Sequence, residues 1–176
     1  SAAGEANTIA FNTVNGVYLT SASTDFNLIS RNPIYSNGVP GKPINMNYGI
    51  GANNDKAVPV IVTATTAAVT GTSSAAGDIV EVFKNPTGSC NDAITFVGFA
   101  TANGSGNWSM AVSLSVGDYV LATATDGSNN TSEFTTCIEA LPVELLSLSA
   151  VCLVDKAEIK WSTASETNNN YFSIER

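Results

Sequence analysis

Few residues in this sequence are equipped for catalysis. There is no histidine, so the commonest general acid–base and zinc ligand is missing. Glycoside cleavage needs two carboxylates, and polysaccharide lyase chemistry on a stacked-coil scaffold needs a base with basic residues or calcium on consecutive coils. In residues 1–58 the acids are Glu5, Asp25 and Asp55 and the bases are Arg31, Lys42 and Lys56. No carboxylate pair recurs at equivalent positions, so no catalytic residue is expected, and Arg31 reads as a solvated face residue. The stretch DGSNNTSE, Asp126 to Glu133, offers oxygens to calcium. Its spacing matches no calcium loop and too few carboxylates converge, so it reads as a hairpin turn. Asn53, Asn54 and Asp55 in GANNDK read likewise as a turn. The three cysteines, Cys90, Cys137 and Cys152, fit no metal spacing. Disulfide formation is the better reading, and no metal or cofactor is expected. Trp108, Tyr119, Phe134, Trp161 and Phe172 alternate with polar residues and are read as core packing rather than a sugar-stacking row. Tyr18, Tyr35 and Tyr48 are the better candidates for a surface platform.

The elements that must carry these residues are β-strands. Asn, Ser and Thr each occur 19 times, and only 12% of the 176 residues are charged. Such residues favour turns and strands over long helices. An apolar content of 44% supplies a core, and the chain is long enough for one large domain or two small ones. The formal charge of −8 repels polyanions, which excludes nucleic acid as a partner. No apolar run approaches the roughly 20 residues that span a bilayer, so no membrane span is expected. The opening SAAGEANTIA lacks the basic and apolar regions of a signal peptide, which predicts a mature or internal segment.

The first part repeats. NTIAFNTV (Asn7 to Val14) aligns with NLISRNPI (Asn27 to Ile34) at an offset of 20, placing Asn7 over Asn27 and Asn12 over Asn32. GVYL (Gly16 to Leu19) aligns with PINM (Pro43 to Met46) at an offset of 27. Repeats of this length predict a β-solenoid whose coils stack aliphatic residues, with Asn7, Asn12, Asn27 and Asn32 laddering their amides between coils. Two coils are too few to stand alone, so further coils are expected upstream. From Pro59 onward, turn residues every 8 to 12 positions predict a β-sandwich. Its seven strands are placed near Val60–Thr65, Ala68–Thr72, Ile79–Lys84, Ile94–Thr101, Trp108–Leu114, Tyr119–Thr125 and Ser132–Ile138.

Three resemblances give these parts families. The solenoid pattern, with Ser36 to Ile61 as a closing segment, resembles the carboxyl-terminal coils of right-handed parallel β-helix proteins of secreted bacterial origin. The VTGT, VEVF, SGNWS, ATATD and NTSEF stretches resemble a bacterial immunoglobulin-like module that often follows β-helices. LPVELLSLSA with KWSTASETNNNYFSIER resembles the start of a fibronectin type III-like module of Bacteroidetes proteins exported by type IX secretion. The expected fold is therefore all-β: the C-terminal coils of a parallel β-helix (1–58), a seven-stranded immunoglobulin-like sandwich (59–139) and a partial second sandwich (140–176). Trp161 and Phe172 are expected to be buried against something.

Members of the immunoglobulin-like family often carry the Cys90–Cys137 pair as a bridge. Such a bridge would close 47 residues and is worth on the order of 4 kcal/mol in the chain-entropy model; two free thiols are the alternative. Cys152 is then unpaired or intermolecular. The disulfide and the resemblances imply a secreted or outer-cell-surface location. They imply a non-catalytic spacer, exported with the help of a C-terminal sorting domain that this chain lacks. The alternatives are a self-assembling fibre or adhesin subunit built by strand addition, and the tail of a β-helix polysaccharide-active enzyme. Partners would be neighbouring copies, or surface or carbohydrate ligands.

Overall fold

A computed structural model describes residues 6–38, 41–47, 49, 51–86, 88, 90–141, 143–152 and 157–166, without side chains for 143–146 and 164–166. The described chain is all-β. Its strands are β1 (Ile9–Ala10), β2 (Val17–Tyr18), β3 (Ile34–Tyr35), β4 (Ile44–Asn45), β5 (Val60–Ala64), β6 (Ala68–Thr72), β7 (Ile79–Asn85), β8 (Thr95–Thr101), β9 (Asn107–Ala111), β10 (Tyr119–Thr125), β11 (Ile138–Glu139), β12 (Val143–Cys152) and β13 (Ala157–Glu166), with one 3-10 turn at Ala52–Asp55.

The first four strands form two parallel pairs, β1 with β3 and β2 with β4. They stack a first layer (residues 7–31) on a second (residues 32–38, 41–47 and 51–56). Leu19, Ile34, Ile44, Met46 and Ala52 are buried between them, with Ile9, Val17, Ile29 and Phe134 packed alongside. Val17 faces Ile44, the 27-residue register read in GVYL and PINM. The other register differs from expectation: Ile9 faces Ile34, not Ile29. NTIAFNT is in line with NPIYSNG, and Asn7 and Asn12 meet Asn32 and Asn37, each 25 residues on. The offset of 20 fails because Asn27 lies on a different side of the layer, where it meets Asn53 26 residues on.

Residues 60–139 form two open sheets, a three-stranded one ordered β5-β6-β9 and a four-stranded one ordered β11-β10-β7-β8, an arrangement consistent with a β-sandwich. Between them Val69, Trp108, Val80, Val82, Val120, Ala122 and Ala124 form one buried cluster. Strand alternation directs these side chains inward. The last expected strand, Ser132 to Ile138, is mostly irregular and only β11 is regular. Ser and Thr hydroxyls intercept its ladder: the Ala124 N–H donates to Ser132 Oγ (3.0 Å) and the Ala122 N–H to Thr135 Oγ1 (3.0 Å).

β12 and β13 form an antiparallel hairpin with Leu148 opposite Trp161, Ala150 opposite Ile159 and Cys152 opposite Ala157. These six share one face by alternation. Trp161 is 40% exposed, contrary to the expectation that it would be buried. Phe172 lies outside the described residues.

Candidate functional site

A half-exposed sheet should alternate buried and exposed residues. β7 and β10 do not: from Val80 to Phe83 and from Val120 to Thr125 every residue is buried. Their even-numbered residues fill the core between the sheets, while Glu81, Phe83, Leu121, Thr123 and Thr125 cover the outer face. That face is buried because the parallel layers and the segment Asn130–Phe134 lie on it.

Four polar grips and one apolar wedge make the joint. The buried Glu81 carboxylate accepts from Ser30 Oγ (2.6 Å) and from the Arg31 N–H (2.8 Å). Arg31 has a φ of 59°, and its guanidinium stacks over Phe96 and Phe99 at 5.5 and 5.7 Å, an attractive cation–π geometry. It is a half-buried part of the joint rather than a solvated face residue.

The second grip ties the first layer to the Asn130–Thr131 segment. The Phe26 N–H donates to Asn130 Oδ1 (2.8 Å) and the Ile29 N–H to Thr131 Oγ1 (3.0 Å). Asn53, fully buried, ties three segments together. Its Oδ1 accepts from the Asn27 N–H (3.0 Å), and its Nδ2 donates to the carbonyls of Asn27 (3.0 Å) and Thr131 (2.9 Å). Asn53 and Asn54 both have left-handed backbone, φ 47° and 53°, which asparagine adopts more readily than most residues. The GANNDK turn is thus both a connection and the centre of the joint.

The third grip is Glu133, which accepts from the Met46 N–H (2.9 Å) and from Lys42 Nζ (2.5 Å). The fourth is an antiparallel bridge in which Ile34 and Ala93 exchange two 2.9 Å hydrogen bonds, flanked by the Ser36 N–H donating to Asp92 Oδ1 (2.5 Å). Phe134 is the wedge. It packs against the core of the layers and also meets Phe83 edge-on with centroids 5.2 Å apart.

Cys90 and Cys137 are joined in a disulfide, and Cys152 is exposed and free. Of the four asparagines expected to ladder, Asn7 donates its N–H to Asn32 Oδ1 (2.8 Å). Asn12 bonds Asn37 instead of Asn32, and Asn27 bonds Asn53 instead of Asn7. In the Asp126 loop the carboxylate serves its own turn, accepting from the Ser128 N–H (2.8 Å) and from the Asn130 N–H (3.0 Å) and Nδ2 (3.0 Å). Partial burial opposes its charge. The bonds from Asn130 and Ser128, with help from Lys56, prevail and hold the carboxyl below its usual range. Trp108 is buried, Tyr119, Phe134 and Tyr35 are half-buried, and Tyr18 is exposed; Tyr48 lies outside the described residues.

Among the described residues no three His, Cys, Asp or Glu side chains converge as metal ligands, and no helix is long and apolar enough to cross a membrane. The joint carboxylates Glu81 and Glu133 each accept hydrogen bonds from two donors of this chain. The disulfide fits a non-cytoplasmic setting. No protein-family model matches the chain, and no curated protein matches it.

Proposed function

We propose that this chain is a non-catalytic structural segment of a larger secreted or cell-surface protein, acting as a spacer that fixes the direction between its parts. In this reading the parallel layers are the closing coils of a right-handed parallel β-helix. The two-sheet body is an immunoglobulin-like module, and the hairpin opens a fibronectin type III-like module of the kind found in Bacteroidetes type IX secretion substrates. The observation that carries the reading is the joint. On the outer sheet face Glu81 is bonded by the layers and Phe83 and Leu121 are packed under Phe134, which itself enters the layer core, and four polar grips lock the contact, as a spacer that transmits direction requires. Distances between spin labels at Ser21 in the first layer and Ser105 in the two-sheet body test it. A single narrow distance distribution is expected, and a broad one would remove the rigid-spacer role. Activity of the chain itself on polysaccharides would overturn its non-catalytic nature.

A second reading, a subunit that assembles by strand addition, is favoured by one feature. β5 is an edge strand with Val60 and Val62 exposed, its far end already bridged by Leu141, and such an edge can template a further strand along Val60–Val62. Light scattering across a concentration series separates the two: a constant monomer mass supports the spacer, and concentration-dependent growth supports assembly.

A further inference from the structure

We propose that the Cys90–Cys137 disulfide is a thiol-releasable latch on the joint, and that its work is to hold the parallel layers in place rather than to hold the two sheets together. The core between the sheets contains neither cysteine. Cys137 packs instead in the outer cluster with Phe83, Ala93, Leu121 and Phe134. Each cysteine also lies close in sequence to a different grip. Cys90 precedes Asp92 and Ala93, which bond Ser36 and Ile34 of the second layer. Cys137 follows Glu133 and Phe134, which bond Met46 and Lys42 and wedge into the layer core.

The bridge, with Cα atoms 5.0 Å apart, therefore ties together two strips that hold the layers from two sides. Neither strip is a regular strand, but the Cys137 strip is tied to β10 through Ser132, Thr135 and Ile138. With the bridge closed, the Cys90 strip is covalently fixed to that anchored strip; with it open, the Cys90 strip can move away alone.

The latch is accessible. Cys90 is exposed and Cys137 half-buried, and a crevice of about 300 Å³ lined by Lys42, Ile44, Cys90, Glu133 and Phe134 opens beside Cys90. A dithiol reductant would attack the exposed sulfur through its thiolate, form a mixed disulfide and leave as its own cyclic disulfide. Two electrons and two protons pass to Cys90 and Cys137, and the reductant is oxidised by the same amount. The joint then relies on the polar grips and Phe134 alone, and the layers become the part that opens first.

Amide hydrogen exchange on the folded chain, before and after treatment with dithiothreitol, tests this. Reduction is expected to speed exchange at Val17, Leu19, Ile34 and Met46 by at least about tenfold, while Val69, Val82, Val120 and Ala122 stay within about twofold. The Cys90→Ser/Cys137→Ser double variant should match the reduced protein. Because that variant could fail to fold, reduction of protein already folded is the decisive arm. Equal acceleration in both groups would make the bridge a general staple and overturn the proposal. No acceleration in the layers would overturn it too.

Discussion

Single carboxylates carry much of the joint, because a buried acceptor that meets two donors is costly to remove. Glu81 leaves the Ser30 hydroxyl and the Arg31 N–H unpaired when truncated. Hydrogen bonds to charged groups contribute about 1.5–3 kcal/mol each, so Glu81→Ala should cost about 3 kcal/mol and Glu81→Gln, which keeps one acceptor, about half that. Urea unfolding measures both, and equal losses for the two variants would contradict the assigned roles. Asp126 acts on a different axis, pH. Its folded-state value lies below the ordinary 3.8. Its stabilisation is therefore complete above that pH and is lost as pH falls through the depressed folded value. The Ser128 and Asn130 amides should lose exchange protection below pH 3.8, and Asp126→Asn should show no such step. Because Asn130 also holds the Phe26 N–H, the same acid step should reach the joint. A step of equal size in the variant would assign it to another group.

Elements respond differently, since a strand fails where its packing leaves no room. At Gly71 in the middle of β6, a Cβ would lie 2.5 and 2.7 Å from ring atoms of Trp108 and would also meet the Val60 carbonyl. Backbone cannot yield as a flexible side chain can, and overpacking costs about 1–3 kcal/mol. Gly71→Ala should therefore lower the thermal midpoint and shift Trp108 emission. Gly104→Ala, with open space around it, should leave both unchanged. Loss of stability without a change in Trp108 would place the strain elsewhere. The same local patterns explain which elements could be read from sequence. β6, β7, β8 and β10 follow from short apolar alternations bounded by turn residues. The true first register was also legible, because Asn7, Ile9, Asn12 and Val14 recur identically at Asn32, Ile34, Asn37 and Val39. The match at 20 residues shares fewer identities. The joint was not legible, because its partners lie far apart in sequence: Ser30 and Glu81 by 51 residues, Phe26 and Asn130 by 104. One trace of it existed. IVEVFKN and YVLATAT place Phe83 and Leu121 at outward-alternating positions, where a solvent-facing strand is ordinarily polar.

Across the whole molecule the two parts are unequal in independence. The two-sheet body owns its inner core outright, since every residue from Ala64 to Ala140 in that cluster comes from the body itself. The layers do not. Their core draws in Phe134, the Phe26 and Ile29 N–H groups of their first layer find acceptors on Asn130 and Thr131, and the buried Asn53 amide donates to the Thr131 carbonyl. Residues 57–141 expressed alone should therefore fold, with Phe134, which packs in the layer core, uncovered and able to bind a hydrophobic dye. Residues 6–56 alone should give the narrow amide dispersion of an unfolded chain. Mixing the two fragments should restore dispersion to the smaller one and quench the dye, because each of the four grips pairs a group on one fragment with a group on the other. Independent folding of residues 6–56 would show that the layers need no such surface, and the dependence inferred from Asn53, Phe134 and Glu133 would then be wrong.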